Sequence, residues 1–381
     1  MTARSAPRFR PRFDPPLPDA ASADGPGVDH SSSCRADAGP GSNCCGQRPP
    51  AGSPSRRPSV RDLAELVRAP AALSVVGDSL AGLAAARAGR PTALRARHAL
   101  LPVASACLYL GGMALNDYAD RHVDATERPE RPIPSGRVTP RGALAVGAAL
   151  TAGGVAAASL ADGRRALAIA VPLAACVWTY DLVAKDHPSG PFFMAACRGL
   201  DVLLGATPGR MRSALPAAAS LAAHTLGVTV LSRGEVHGTT TQVAGGVAAG
   251  TVAGAVVAAV TAPSARAKGA DAGAGTGTGT GTGASAAPRA TTASRWTTVA
   301  AAGAYAAACL PAQVRAAAVP TPANARTATR SGIQAMVPLQ ATWAARSGSL
   351  GTTALLAGVA AIGYGLRLLS RARGRAGVSI T

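Results

Sequence analysis

The amino-acid sequence predicts an all-α, polytopic membrane protein. Of its 381 residues, 48% are hydrophobic and only 15% are charged, whereas about 25% of residues are charged in a typical soluble protein. The mean hydropathy is +0.19. Apolar stretches of about 17–25 residues, the length at which a helix crosses a bilayer, recur along the chain. Nine spans are predicted, at 70–88, 98–118, 142–161, 166–182, 190–207, 213–232, 241–262, 296–318 and 349–369.

The segments outside these spans predict tails and linkers. Residues 1–60 are polar and contain no apolar core of the kind that a signal peptide needs, so we expect a disordered N-terminal tail. The transmembrane domain is expected to cover 61–370, with a flexible Gly/Thr-rich linker at 263–295 inside it. A C-terminal tail follows at 371–381. Residues 331–346 have apolar positions at mixed helical spacing and predict a short interfacial helix before the last span.

Charge and cysteine content exclude several other classes. The formal net charge of +19 would suit a phosphate-binding surface. However, the Arg residues lie singly or in small groups between apolar runs, and no basic helix carries interleaved aromatic residues. We therefore expect these basic residues to contact the lipid bilayer, and we expect no binding of nucleic acid. The seven Cys residues form no CxxC pair, so neither a disulfide framework nor a zinc site is predicted.

The residues that indicate chemistry lie at the end of the second span. On a helix, Asn116, Asp120 and Asp124 recur every four residues, and Asp117 fills the neighbouring position of the same face. Unpaired carboxylates in this position repel one another, and a lone central charge costs about 2.5–3.5 kcal/mol in a membrane helix. A divalent cation removes the repulsion, and Mg²⁺ is usually held by a few carboxylates together with waters and substrate phosphate. The sequence therefore predicts a Mg²⁺ site formed by these four residues.

A proline-rich loop follows the acidic face, with the sequence ATERPERPIPSGR. Its three prolines favour a turning, extended chain over a continuing helix. We expect this loop to bring Arg128, Arg131 and Arg137 close to the carboxylates. Guanidinium groups beside carboxylates that hold a metal are suited to binding a diphosphate leaving group.

The pattern N-D-x-x-D-x-x-x-D followed by R-P-x-R-P-I-P-S-G resembles the first Asp-rich motif of the UbiA family of intramembrane prenyltransferases, and in particular its EboC-like branch. The resemblance covers about residues 62–370. It implies nine transmembrane helices around a central cavity, where Mg²⁺ bridges Asp-rich motifs to an isoprenoid diphosphate donor. The implied reaction transfers the prenyl group to a small aromatic or other electron-rich acceptor. The implied location is a bacterial-type cell membrane, crossed several times.

The resemblance also implies roles for individual residues. The implied catalytic residues are Asp117, Asp120, Asp124 and Lys185. The side chains implied in substrate binding are Arg121, Arg131, Arg137, Tyr180, Arg198 and Glu235. Arg68-Ala69-Pro70 resembles the entry to the first helix of the family. Two alternatives without catalytic duty stay open, namely a lone Lys185 that reaches for the membrane surface and an internal ion pair between Arg198 and Asp201.

The second Asp-rich motif of the family is reduced in this chain. The segment after the sixth span reads SRGEVHG and keeps one carboxylate, Glu235. Two alternatives stay open for a second Mg²⁺. Either Glu235 holds it with help from Asp181, Asp186 or His237, or its binding is weak or absent. This departure favours an alternative function, that of a catalytically degenerate family member acting as a lipid-binding or export accessory protein.

Two further classes of membrane protein fit the sequence less well. A transporter would need a solute path, for which Asp78, Arg198 and Asp201 are the intramembrane candidates, but no inverted repeat is evident. A CDP-alcohol transferase would need a D-G-x-x-A-R run, and this run is missing.

Overall fold

The computed structural model describes residues 58–68, 73–88, 94–260 and 292–372. Throughout this part of the chain the regular structure is helical, which confirms the predicted all-α class. The helices are α1 (Val60–Leu66), α2 (Leu73–Ala86), α3 (Leu100–Glu127), α4 (Pro140–Thr179), α5 (Gly190–Gly205), α6 (Met211–Ser232), α7 (Thr241–Val260), α8 (Thr292–Ala318), α9 (Pro322–Arg346) and α10 (Leu350–Ala372). Most of the predicted N-terminal tail and linker, and residues 373–381 of the C-terminal tail, lie outside the described residues.

Helix α4 consists of two antiparallel arms. Asp162 and Gly163 leave helical geometry, and Gly163 has a φ of 59°, a conformation that glycine adopts without steric cost. Trp178 Nε1 donates to Thr151 Oγ1 at 3.1 Å, so two residues 27 positions apart lie side by side. The break separates the third and fourth predicted spans where the sequence placed their boundary.

The long helices run alternately between two ends of the bundle. We call one the acidic end, defined by Asp117, Asp120 and Asp124 near the end of α3. We call the other the basic end, defined by Arg165 and Arg210, where α4 breaks and α5 connects to α6. Consecutive helices such as α3 with α4, α5 with α6 and α8 with α9 pack against each other, as expected for antiparallel neighbours joined by short connections.

Small residues let α2 and α5 approach to backbone contact. A Cβ atom added at Gly82 would overlap the carbonyl oxygen of Val202, and one added at Gly205 would overlap that of Ser79. Helices in lipid gain much of their association from close packing of this kind. The contact fixes the relative position of α2 and α5 and so aligns the polar groups that both helices direct into the bundle.

The structure corrects the prediction for residues 331–346. These residues belong to the 25-residue helix α9, which begins after Thr321, whose side chain accepts a hydrogen bond from the N–H of Asn324. Leu339 and Trp343 are buried in the main core. The prediction of an interfacial helix was wrong because polar residues interspersed among apolar ones suggested an interface, whereas one of them, Gln340, is fully buried and donates to Asp78 Oδ1 at 2.7 Å.

Four helical stretches of the described residues are long and apolar enough to cross a membrane, namely Ala96–Glu127, Pro140–Ala184, Met211–Glu235 and Thr241–Val260. The second of these contains both arms of α4. Shorter apolar helices cover Ser74–Ala86 and Leu350–Ile362. Nine transmembrane helices are thus not confirmed. The apolar helices support the coarser prediction of an integral membrane protein that crosses the bilayer several times.

Candidate active site

The acidic face of α3 divides into two pairs of residues. At 3.6 residues per turn, Asp117 and Asp124 lie about 20° apart around the helix axis, and Asn116 and Asp120 about 40° apart. The first pair is buried, with 5% of each side chain exposed, whereas 32% of the Asp120 side chain is exposed. The predicted quartet is therefore present on one face, but its two halves have different partners.

Arg131 bridges the two buried carboxylates. Its Nη1 donates to Asp124 Oδ2 at 2.6 Å and to Asp117 Oδ1 at 3.4 Å. Only 16% of the Arg131 side chain is exposed, while Arg128, which lies 3.9 Å from Asp124, is 53% exposed. The proline-rich loop thus places Arg131 against the carboxylates, as the sequence predicts, and leaves Arg128 at the surface.

Arg68 completes this half of the site. Its Nη2 donates to Asp117 Oδ1 at 3.1 Å. Arg68 follows the short helix α1 with a φ of 49°, a left-handed conformation that costs a non-glycine residue about 1–2 kcal/mol. The motif around Arg68 resembled the family's entry to the first helix, but the sequence did not show that its guanidinium reaches the acidic face.

Lys185 and Asp181 face the other half of the site. Lys185 forms an ion pair with Asp120, and the buried Asp181 lies close to Asn116. Both come from the π-helical turn Tyr180–Ala184 and its end, where the N–H of Lys185 donates to the carbonyl of Tyr180 at 2.9 Å. The wider turn lets the chain present Asp181 and Lys185 to α3, a use of π-turns that recurs at functional sites.

Two predicted substrate-binding arginines lie elsewhere. The Arg121 guanidinium covers the Tyr118 ring at 4.6 Å and donates to the Tyr118 carbonyl at 2.8 Å. Arg137 forms ion pairs with Asp62 and Glu65 of α1, away from the carboxylates that it was expected to approach. Hydrogen bonds from Ser59 and Arg137 lower the pKa of Asp62 to about 2. Arg137 thus fastens the proline-rich loop to α1, the two segments that supply Arg131 and Arg68.

The segment after α6 borders the loop that carries Lys185. The short turn Arg233–Glu235 places Arg233 Nη2 at 2.5 Å from the carbonyl of His187. The Glu235 carbonyl accepts from Arg326 Nη1 at 3.0 Å. Asp181, one of the residues expected to assist Glu235, instead faces Asn116. Tyr180 opens the π-helical turn beside Asp181.

A buried polar network lies inside the bundle. Arg198 of α5 forms an ion pair with Asp78 of α2, which also accepts from Gln340 of α9. This pairing differs from the internal Arg198–Asp201 pair considered from the sequence. Asp201 instead accepts from Ser105 Oγ at 2.6 Å, and its second carboxylate oxygen has no hydrogen-bond partner.

The oxygen donors suit a hard divalent cation that keeps part of its water shell. In the described part of the chain, no three His, Cys, Asp or Glu side chains converge closely enough to enclose a metal ion. Mg²⁺ does not need such a cage, because one or two carboxylates, waters and substrate phosphates hold it in many enzymes. Asp120, Asp181 and the amide of Asn116 provide donors of this type, so the residues present fit Mg²⁺.

Comparison with known proteins finds a family similarity in the same region. Residues 76–233 match the model of the UbiA prenyltransferase family. A digeranylgeranylglyceryl phosphate synthase from Methanopyrus kandleri is 40% identical over 112 residues, which cover 29% of this chain and 41% of the relative. The chain spans about half the length of the curated relatives it matches, from 41% to 52% for three of them.

Solved structures show a similar fold. One, described as a digeranylgeranylglyceryl phosphate synthase in membranes, has a TM-score of 0.51 and 15% identity and covers 75% of this chain and 98% of its own. Another, described as a UbiA homologue from Archaeoglobus fulgidus bound to GPP and Mg²⁺, has a TM-score of 0.41 and 19% identity and covers 53% of this chain and 75% of its own. Residues 76–233 are thus similar to the UbiA prenyltransferase family, and the fold of the chain is similar to that of the first of these two structures.

Proposed function

We propose that the protein is a Mg²⁺-dependent prenyltransferase that moves a prenyl group from an isoprenoid diphosphate to an acceptor within the membrane. The observation that carries this proposal is the acidic end, where three carboxylates of α3 alternate with Arg68, Arg131 and Lys185. A diphosphate needs such cations for its oxygens and such carboxylates for its metal. The matching family model supports the same activity.

Magnesium would be held first by Asn116, Asp120 and Asp181. Asp117 and Asp124 would join this set once the arginines that engage them turned to phosphate oxygens. When bound, the cation neutralises charge on the diphosphate leaving group. Glu235 remains a candidate for a second metal because its turn borders the Lys185 loop.

The cationic side chains of this chain would stabilise the departing diphosphate. Arg68, Arg131 and Lys185 are each held by a carboxylate, so their charges are already in place before substrate arrives. Preorganised donors of this kind are effective because little reorganisation is needed as charge develops. Arg137 would act indirectly, by keeping the proline-rich loop against α1.

The interior of the bundle would receive the prenyl chain and the acceptor. Ala, Leu and Val side chains, which form the buried core, would exclude water from an allylic cation. Tyr180 and Arg198 would line the path to the acceptor. The relatives' name indicates a product with prenyl groups on glyceryl phosphate, so a glyceryl phosphate acceptor is favoured over the aromatic acceptor expected from the sequence. The narrower EboC-like assignment and the bacterial-type membrane stay predictions, since the matched relatives are archaeal.

The test incubates purified protein with labelled prenyl diphosphates of several lengths, with glyceryl phosphate or aromatic acceptors, and with Mg²⁺ or EDTA. We expect a Mg²⁺-dependent product, identified by mass. Asp120→Asn should reduce turnover by on the order of a hundredfold, as removal of a preorganised electrostatic group does. Glu127→Gln is the matched control, because Glu127 is an exposed carboxylate at the end of the same helix.

The outcomes separate the enzyme from its alternative. If Asp120→Asn leaves turnover unchanged, the assignment of the active site to the acidic end is wrong. Binding of a prenyl diphosphate without product from any acceptor would support the degenerate, lipid-binding family member, the alternative favoured by the reduced motif around Glu235.

A further inference from the structure

A cavity of about 410 Å³ lies at the basic end of the bundle, opposite the candidate active site. It is lined by Arg165, Gly209, Arg210, Met211 and Arg212. Arg165 follows the break in α4, and the other four belong to the connection into α6 and its first turn. The three arginines are exposed, and none of them forms an ion pair with a described carboxylate. Three exposed arginines therefore border one cavity, and none of them is paired with a described carboxylate.

The surface around the cavity is also basic. His98 has Arg87, Arg95 and Arg97 among its electrostatic neighbours, together with Asp162 of the α4 break. Arg164 precedes Arg165 on the same arm. Asp162 is the carboxylate that the described part of the chain places at this surface, and one of its oxygens has no hydrogen-bond partner. Arginines thus outnumber the carboxylate at the basic end, whereas the three carboxylates Asp117, Asp120 and Asp124 lie at the acidic end.

The cavity is built on a fixed backbone. The N–H of Arg210 donates to the carbonyl of Ala86 at 3.0 Å. A Cβ atom at Gly209 would lie 2.7 Å from the same carbonyl oxygen, so only glycine allows the connection to rest on α2. The N-cap position of α6 has no side-chain hydrogen bond, and the free N–H groups of a first helical turn add partial positive charge. The backbone that carries Arg210 is therefore held in place against α2.

Exposed apolar side chains occur within a few residues of the cavity-lining residues along α4 and α6. Met211 is half-buried and packs against the main core. Leu160, just before the α4 break, is 69% exposed, and Leu215, in the second turn of α6, is 51% exposed. A ligand that joins a phosphate group to hydrocarbon chains would contact both the arginines and this apolar surface.

We propose that the basic end binds the phosphate headgroup of an anionic phospholipid, with the acyl chains lying along α4 and α6. The lipid is favoured over a free phosphate because the exposed Leu215 follows Arg212 by three residues on the same helix, close to one helical turn, and Leu160 precedes Arg165 by five residues, whereas a free anion would gain nothing from exposed leucines. Basic side chains at a membrane surface attract anionic headgroups. This site is independent of the proposed prenyl transfer, since it lies at the opposite end of the bundle.

The test measures lipid binding to the purified full-length chain in detergent. Phosphatidylglycerol, phosphatidylcholine and inorganic phosphate are added at equal phosphate concentration, and thermal stability and lipid retention in native mass spectrometry are recorded. We expect phosphatidylglycerol to raise the melting temperature and to be retained, with little effect of the other two. The variant Arg165→Gln/Arg210→Gln/Arg212→Gln should weaken retention by on the order of tenfold or more.

A matched triple variant controls for net charge. Arg141→Gln/Arg315→Gln/Arg330→Gln removes the same charge from exposed positions outside the basic end and should retain phosphatidylglycerol as the unmodified chain does. If the first variant does not fold, Arg212→Gln alone replaces it in the retention measurement. Equal effects of the two phospholipids, equal losses in both variants, or a full effect of inorganic phosphate would each overturn the proposal of a lipid site.

Discussion

Replacing Arg131 by Gln tests whether this side chain holds the two buried carboxylates together. In the structure, Arg131 Nη1 lies 2.6 Å from Asp124 and 3.4 Å from Asp117, and both carboxylates are almost fully buried. Asp117 keeps its second partner, Arg68, whereas Asp124 keeps only the distant and exposed Arg128. The substitution therefore leaves the buried carboxylate of Asp124 with the exposed Arg128 as its remaining positive partner.

Breaking a buried ion pair by removing one partner costs about 3–5 kcal/mol. At roughly 2 °C per kcal/mol for a chain of this size, we expect Arg131→Gln to lower the melting temperature by roughly 6–10 °C. The measurement is thermal unfolding of the purified protein in detergent, followed by intrinsic fluorescence. The same loss of free energy should appear in denaturant unfolding if that transition is reversible.

Arg128→Gln is the matched control, because it removes an arginine from the same loop and the same carboxylate. An exposed pair contributes about 0–1 kcal/mol, and the distance here is 3.9 Å, so the shift should stay within about 2 °C. The double variant Asp124→Asn/Arg131→Gln removes both buried charges and should recover more than half of the loss. Equal shifts for Arg128→Gln and Arg131→Gln, or no recovery in the double variant, would refute the reasoning.

Three further predictions concern the packing of the bundle and the attachment of α1. Gly82→Ala should lower the free energy of unfolding by about 3 kcal/mol, because the added Cβ would overlap a carbonyl oxygen of α5. Gly303→Ala in α8 places its Cβ in open space and should raise the free energy of unfolding by about 0.5–1 kcal/mol. Thermal unfolding of the two variants measures both effects. Gln340→Leu should cost about 1–3 kcal/mol by the same measurement, since it removes a donor from a buried carboxylate of α2. The pKa of Asp62 is about 2 in the folded chain against an ordinary 3.8, so its contacts should stabilise α1 fully above pH 3.8 and be lost as the pH falls through 2. Hydrogen exchange should show that α1 amides lose protection as the pH falls, and this pH dependence should be smaller in Arg137→Gln. Protection of α1 that stays constant down to pH 2 would contradict the stabilising role of the Asp62 contacts.

The sequence predicted the secondary structure well wherever the signal is local. The helical spans, the break between 161 and 166 and the acidic face of α3 follow from hydropathy and from the four-residue repeat. Prediction failed for α9, where mixed polar and apolar positions suggested an interface. That helix is buried because Gln340 finds Asp78 as a partner 262 residues away, and no local pattern contains this information.

Hydropathy and helical periodicity by themselves determined that this chain forms apolar helices and that one of them ends in an oxygen-rich face, because both properties depend on residues within a few turns of each other. Only the tertiary structure decided which cation meets which carboxylate. Arg68 reaches Asp117 across 49 residues and Lys185 reaches Asp120 across 65, and Arg137 turns to α1 instead. These choices depend on how closely the helices pack and on where the chain turns, and both are settled by contacts between segments far apart in the sequence.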